Sequence, residues 1–135
     1  MALPNGAGGY QVGAGNRSET IMGAMAAPQT ATATATLTAA QIANQVLVAT
    51  AGASAVTYTL PTGALIDAAV PNATVGSFFD LAIVNLGTSS GTVTLAVSTG
   101  VTDGGNALTA IAVTTSQLFR FRKTGDATYV AYRLG

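Results

Sequence analysis

Side chains able to do chemistry are scarce in this chain. It contains no histidine and no cysteine. The usual general base near neutral pH, the thiolate nucleophile, the disulfide framework and the thiolate metal site are therefore all excluded. The carboxylates are Glu19, Asp67, Asp80, Asp103 and Asp126. Each falls in a different expected element, and no two share a spacing that would put them on one face, as the facing carboxyl pair of a glycosidase requires. Asp103 and Asn106 offer oxygen ligands of the kind calcium takes, but Asp103-Gly104-Gly105-Asn106 is first of all a strong turn signal and is read as a turn. No catalytic residue, metal or cofactor is expected, and the chain is not read as an enzyme.

The one concentration of charge is Arg120, Arg122 and Lys123, three of the five basic residues. Arg120 and Arg122 lie on one face of an expected strand, with Phe119 and Phe121 on the other, because side chains alternate with period two. One reading is a solvated face on a strand whose aromatic side is buried. The other is a subunit-interface row of Arg120, Arg122 and Lys123, bidentate to carboxylates such as Asp80 or Asp126 of this chain or the next.

The elements that must position these groups are strands. The central one is expected over 77–87, with Phe79, Leu81 and Ile83 on one face and Phe78, Ala82 and Val84 on the other, interrupted by Asp80. A strand apolar on both faces belongs in the middle of a sheet, covered on both sides. Before it, Thr32, Thr34 and Thr36 alternate with small or apolar residues over 31–37. Thr38 and Gln41 form a capping box for a short helical turn. Strands follow over 46–50 and 55–60, and Pro61 ends the second. Thr62 caps a second short helix over 63–70 with Leu65, Ile66 and Ala69 on its apolar side. Beyond the central strand, strands are expected over 91–97, 108–113, 116–123 and 128–134, the last two joined by a tight turn at Thr124-Gly125-Asp126-Ala127.

About eight strands, with turns every 8 to 12 residues, are the pattern of a β-sandwich or jelly roll. The expected fold is all-β: an antiparallel β-sandwich, jelly-roll-like, with two short helical turns. It occupies 31–135 and is preceded by an extended Gly-rich N-terminal arm over 1–30. In that arm Gly6, Gly8, Gly9, Gly13 and Gly15 loosen the backbone, while Tyr10, Gln11, Asn16, Arg17 and Glu19 can bond or stack on a partner.

Composition narrows the function classes. At 135 residues the chain is one domain with an arm. Charged residues make up 7 % of it and the formal net charge is zero, against about 25 % charged residues in an average domain. Such a surface lacks the usual means of keeping copies apart and points to a protein that works inside an assembly. Zero net charge argues against nucleic acid as a ligand. No apolar run approaches the ~20 residues of a membrane span, and no leader pattern opens the chain. No nucleic acid or membrane partner is expected, and the chain is read as made in a cell's cytoplasm or released by lysis.

The assembled motifs resemble a known group. Asn5-Gly6-Ala7-Gly8-Gly9-Tyr10-Gln11, Gly13-Ala14-Gly15-Asn16-Arg17-Ser18-Glu19, Leu37-Thr38-Ala39-Ala40-Gln41-Ile42, Tyr58-Thr59-Leu60-Pro61-Thr62-Gly63, Phe79-Asp80-Leu81-Ala82-Ile83-Val84-Asn85 and Phe121-Arg122-Lys123-Thr124-Gly125 look like those of capsid decoration, or cement, proteins of tailed bacteriophages. The resemblance implies a homotrimeric virion protein, made in the host cytoplasm and seated on the outer capsid at local three-fold positions. Its arm, carried over as Tyr10, Arg17 and Glu19, would reach across neighbouring major capsid subunits. The alternative expectation is a receptor- or glycan-binding knob of a phage fibre or tail, for which Tyr129 or Tyr132 would supply an exposed aromatic platform.

Overall fold

The computed structural model describes residues 24–135. The chain is β-rich, with nine strands and two short helices among these residues. In order they are β1 (Gln29–Ala31), β2 (Ala35–Thr36), α1 (Ala39–Ala43), β3 (Val46–Ala49), β4 (Val56–Thr59), α2 (Gly63–Ala69), β5 (Phe78–Asn85), β6 (Val93–Ala96), β7 (Val101–Gly105), β8 (Ser116–Gly125) and β9 (Thr128–Leu134). The arm residues Tyr10, Arg17 and Glu19 lie outside the described residues.

The strands form a six-stranded sheet in the order β1-β3-β5-β8-β9-β7 and a three-stranded sheet in the order β2-β4-β6. From β1 to β6 the chain alternates between the two sheets, so each strand lies beside the one two places earlier and runs parallel to it. The first six strands are thus three coils of one winding. Parallel neighbours need a long crossover, and here each crossover is made by a strand of the opposite sheet. Both helices lie on the return from the small sheet to the large one, and α1 packs on α2.

Only the C-terminal part is antiparallel: β8 folds back on β9 and joins the winding at β5. Strand β7 lies parallel to β9 at the far edge. Five of the seven strand pairings are parallel, which corrects the expectation of antiparallel, jelly-roll-like pairing. The reason is that turns every 8 to 12 residues suit a coil as well as a meander.

Local readings fare differently. Thr38 and Gln41 form the complete capping box, and Thr62 accepts from the Leu65 N–H at the start of α2. Strand β5 sits inside the large sheet, with Leu81 and Ile83 fully buried. The Thr-rich stretch expected as one strand is split into β1 and β2, because it crosses from one sheet to the other. The strand expected over 108–113 is reduced to a single bridge, Ile111 to Val93. Leu65 is 55 % exposed, leaving Ile66 as the buried apolar side chain of α2.

One apolar cluster joins both sheets and both helices. Leu47, Leu81, Phe119 and Phe121 come from the large sheet, Tyr58 and Leu95 from the small one, and Ile42 and Ile66 from the helices. Phe79 stacks on Phe121 with centroids 5.1 Å apart and meets the edge of Tyr129 at 6.4 Å. At the end opposite the helices, the loops cross closely. The Gly91 N–H donates to the Gly52 carbonyl at 2.9 Å, and a Cβ on Gly91 would stand 2.3 Å from that same oxygen.

Candidate functional site

Strand alternation separates the basic cluster. Phe119 and Phe121 are buried, while Arg120 and Arg122 point to the other side, toward solvent. Arg120 pairs directly across the ladder with Asp80 of β5. Its Nε donates to Asp80 Oδ1 at 2.7 Å and its Nη2 to Oδ2 at 2.9 Å, a two-pronged contact that fixes both side chains. The same guanidinium lies 4.1 Å from the centroid of the Phe78 ring. The hydrogen bond from Arg120 holds the Asp80 carboxyl below the usual carboxylate range, and Asp80 in turn raises Arg120. Among the described residues no ion pair engages Arg122, which is exposed.

Lys123 does not belong to that row. Residue 123 has the parity of Phe119 and Phe121, so its side chain turns to the other face and meets α2. There Lys123 Nζ donates to Asp67 Oδ1 at 2.6 Å, the Ala127 N–H donates to Asp67 Oδ2 at 2.8 Å, and the Tyr129 hydroxyl donates to Asp67 Oδ1. Three donors, Lys123 first among them, bring Asp67 down to about 2. Burial, reinforced by the bond to Asp67, raises the Tyr129 hydroxyl. Near neutral pH the carboxylate is therefore ionised and the phenol protonated, and neither is poised to exchange a proton. The cluster is a clasp that ties α2 to the β8–β9 hairpin, whose turn residue Ala127 has φ 50°.

The other sequence candidates separate as well. Asp103 and Gly105 belong to β7, with a register shift between them, and Asp103 Oδ1 accepts from the Gly105 and Ala107 N–H groups at 2.8 and 3.0 Å. That carboxylate is engaged by its own backbone, in a local turn of the kind Asp favours. Among the described residues no three acidic side chains are grouped as a metal site would need. Tyr129 is buried; Tyr132 is half-buried on the outer face of the large sheet, directly opposite Arg120.

Two buried amides escaped the sequence reading. Asn85 is fully buried at the end of β5. Its Nδ2 donates to the carbonyls of Gly91 at 3.2 Å and Ile111 at 3.3 Å, and its Oδ1 accepts from the Gly87 N–H at 3.0 Å. It thereby binds the loop after β5 to the segment bridging β6. Gln117 Nε2 donates to the carbonyls of Leu134 at 2.7 Å and Gly135 at 2.9 Å. The signal for Asn85 was available: it continues the 79, 81, 83 alternation, and a polar group on a buried face has to be hydrogen-bonded.

The outer faces of the two sheets differ. On the small sheet the outward positions include Thr57 paired with Thr94, and Thr36 paired with Thr59. On the large sheet they carry Val46, Val48, Phe78, Ala82, Val84, Leu118 and Tyr132 around the Asp80–Arg120 pair. What these arrangements supply is fixed geometry and surface of two textures, hydroxyl on one side and apolar on the other. Compared with known protein families, with curated proteins and with solved structures, the chain matches none.

Proposed function

We propose that this chain is a structural virion protein, not an enzyme, that decorates the outside of a tailed-phage capsid as a homotrimer and stabilises the shell by clamping neighbouring major capsid subunits. Its two sheets, sharing one apolar cluster, are read as the layers of a sandwich that carries the arm. The observation that carries the reading is the shortage of charge over the whole chain, together with its use: Asp67, Asp80 and Asp103 all bind groups of their own fold. The motif resemblance supports the choice of a phage capsid.

The mechanism is mass action. A protein that binds only the assembled lattice stabilises it by its own binding free energy. Joining three arms in one trimer raises the effective concentration of each, so weak contacts hold together. The test is decoration of heads prepared without this protein. The full chain restores bound copies and resistance of the heads to heat, whereas a chain lacking residues 1–23 stays folded and leaves the heads bare. The cut precedes Gln29, because β1 begins there and a longer deletion would remove an edge strand. Full occupancy by the shortened chain refutes the role of the arm.

A further inference from the structure

We infer that the outer face of the six-stranded sheet is the contact between copies of this chain, with the sheets of neighbouring copies turned toward a common axis. This deepens the proposed homotrimer and is independent of what the trimer binds.

The face is apolar across its middle. Phe78 is 58 % exposed and Leu118 39 %, flanked by the half-buried Val48, Val84, Tyr132 and Leu134. No element of the described chain is hydrogen-bonded or packed over it as a third layer. The small sheet, by contrast, presents threonines outward and is suited to water. A chain with one wettable outer face and one apolar one is built to cover the second.

Charge points to the occupant. The face carries Asp80, Arg120 and Arg122, and the first two neutralise each other within one chain. A strongly charged partner such as a nucleic acid or an anionic lipid surface would meet Arg122, which no ion pair engages among the described residues, and little else. A second copy brings another apolar sheet whose Asp80 and Arg120 already neutralise each other, so no charge is left desolvated and unpaired across the middle of the contact.

Six strands about 4.8 Å apart span about 29 Å, and the strands average about 20 Å in length. The face therefore measures roughly 600 Å², so three faces turned to a common axis bury about 1,800 Å² in all, or about 600 Å² for each of the three contacts, and the closed ring holds by all three together.

The experiment is the mass of the full-length chain in solution, by light scattering and sedimentation, with variants Leu118→Lys and Val84→Lys on the face and Leu65→Lys on α2 as a control. Circular dichroism and melting show whether each variant is folded. The expected result is a multi-chain mass for the wild type and for Leu65→Lys, and a single-chain mass for at least one folded face variant. Leu118 is already partly exposed, so its replacement tests the contact without breaking the core. A single-chain wild type overturns both the inference and the homotrimer; that outcome includes the case in which residues 1–23 fold back over the face of their own chain. A multi-chain mass that survives both face substitutions overturns the inference and leaves the homotrimer standing on another surface.

Discussion

Replacing Asn85 by aspartate keeps the shape of a fully buried side chain and changes only its hydrogen-bonding capacity. The bond from the Gly87 N–H to Oδ1 survives. The two bonds donated by Nδ2, to Gly91 at 3.2 Å and Ile111 at 3.3 Å, do not, because an ionised carboxylate has no proton to give. Ile111 O keeps a second donor, the Val93 N–H at 3.0 Å. A carboxylate facing two carbonyls without water is strongly unfavourable, so the folded form takes up a proton. Doing so at pH 7 costs about 4 kcal/mol, from roughly three pH units at ~1.4 kcal/mol each. The neutral acid then restores one of the two lost bonds, so about 1 kcal/mol is added for the other. The Asn85→Asp variant is therefore expected to lose about 5 kcal/mol at pH 7.

The sign of the pH dependence follows from the raised folded-state value. The folded form binds more protons than the unfolded one, so stability falls as pH rises. The deficit relative to wild type shrinks to about 2 kcal/mol at pH 5. The depressed Asp67 and Asp80 groups titrate below this window, so the comparison is clean. Urea unfolding of both proteins at pH 7 and pH 5 measures it. A deficit under about 1 kcal/mol at pH 7, or one that does not change between the two pH values, refutes the role given to Asn85.

Three further outcomes are expected. Gly63→Ala reverses the usual helix preference: alanine should gain up to ~1 kcal/mol in a helix, but its Cβ would stand 1.9 Å from the Ala127 carbonyl oxygen, so thermal unfolding should show a loss of about 1–3 kcal/mol. The wild type should hold a steady stability above about pH 4 and lose it as pH falls toward 2, because the Asp67 carboxyl is depressed from 3.8 to about 2; Asp67→Asn should be less stable at neutral pH and show a shallower acid transition. Thr38→Ala removes the capping box of α1 and should lower stability by about 1 kcal/mol in the same unfolding assay.

What was legible in the sequence was local. The Thr38 capping box, the Thr62 cap, the Gly125–Thr128 hairpin and the two-faced character of β5 depend on residues within a few positions of one another. Whether neighbouring strands run parallel does not. The winding is set by which distant strands pair, and Val46 with Ala82 or Val56 with Val93 leaves no local mark. The same limit hid the clasp: Asp67 meets Lys123, Ala127 and Tyr129 only because the winding lays α2 against the last hairpin. Lys123 itself was recoverable, since its parity matches Phe119 and Phe121. Adjacency to two arginines drew it into their row, where alternation forbids it to be. Leu65 looked apolar and inward on a helical wheel, but a seven-residue helix at the rim of the core buries little more than Ile66.

The central claim is that this is a building component of a phage head, and imaging of intact particles tests it most directly. The account predicts density matching the two-sheet body in many regularly spaced copies on the outer capsid surface, with an extension from each running over adjacent capsid subunits. Particles whose heads carry no such density, or carry it only at the tail, would contradict it.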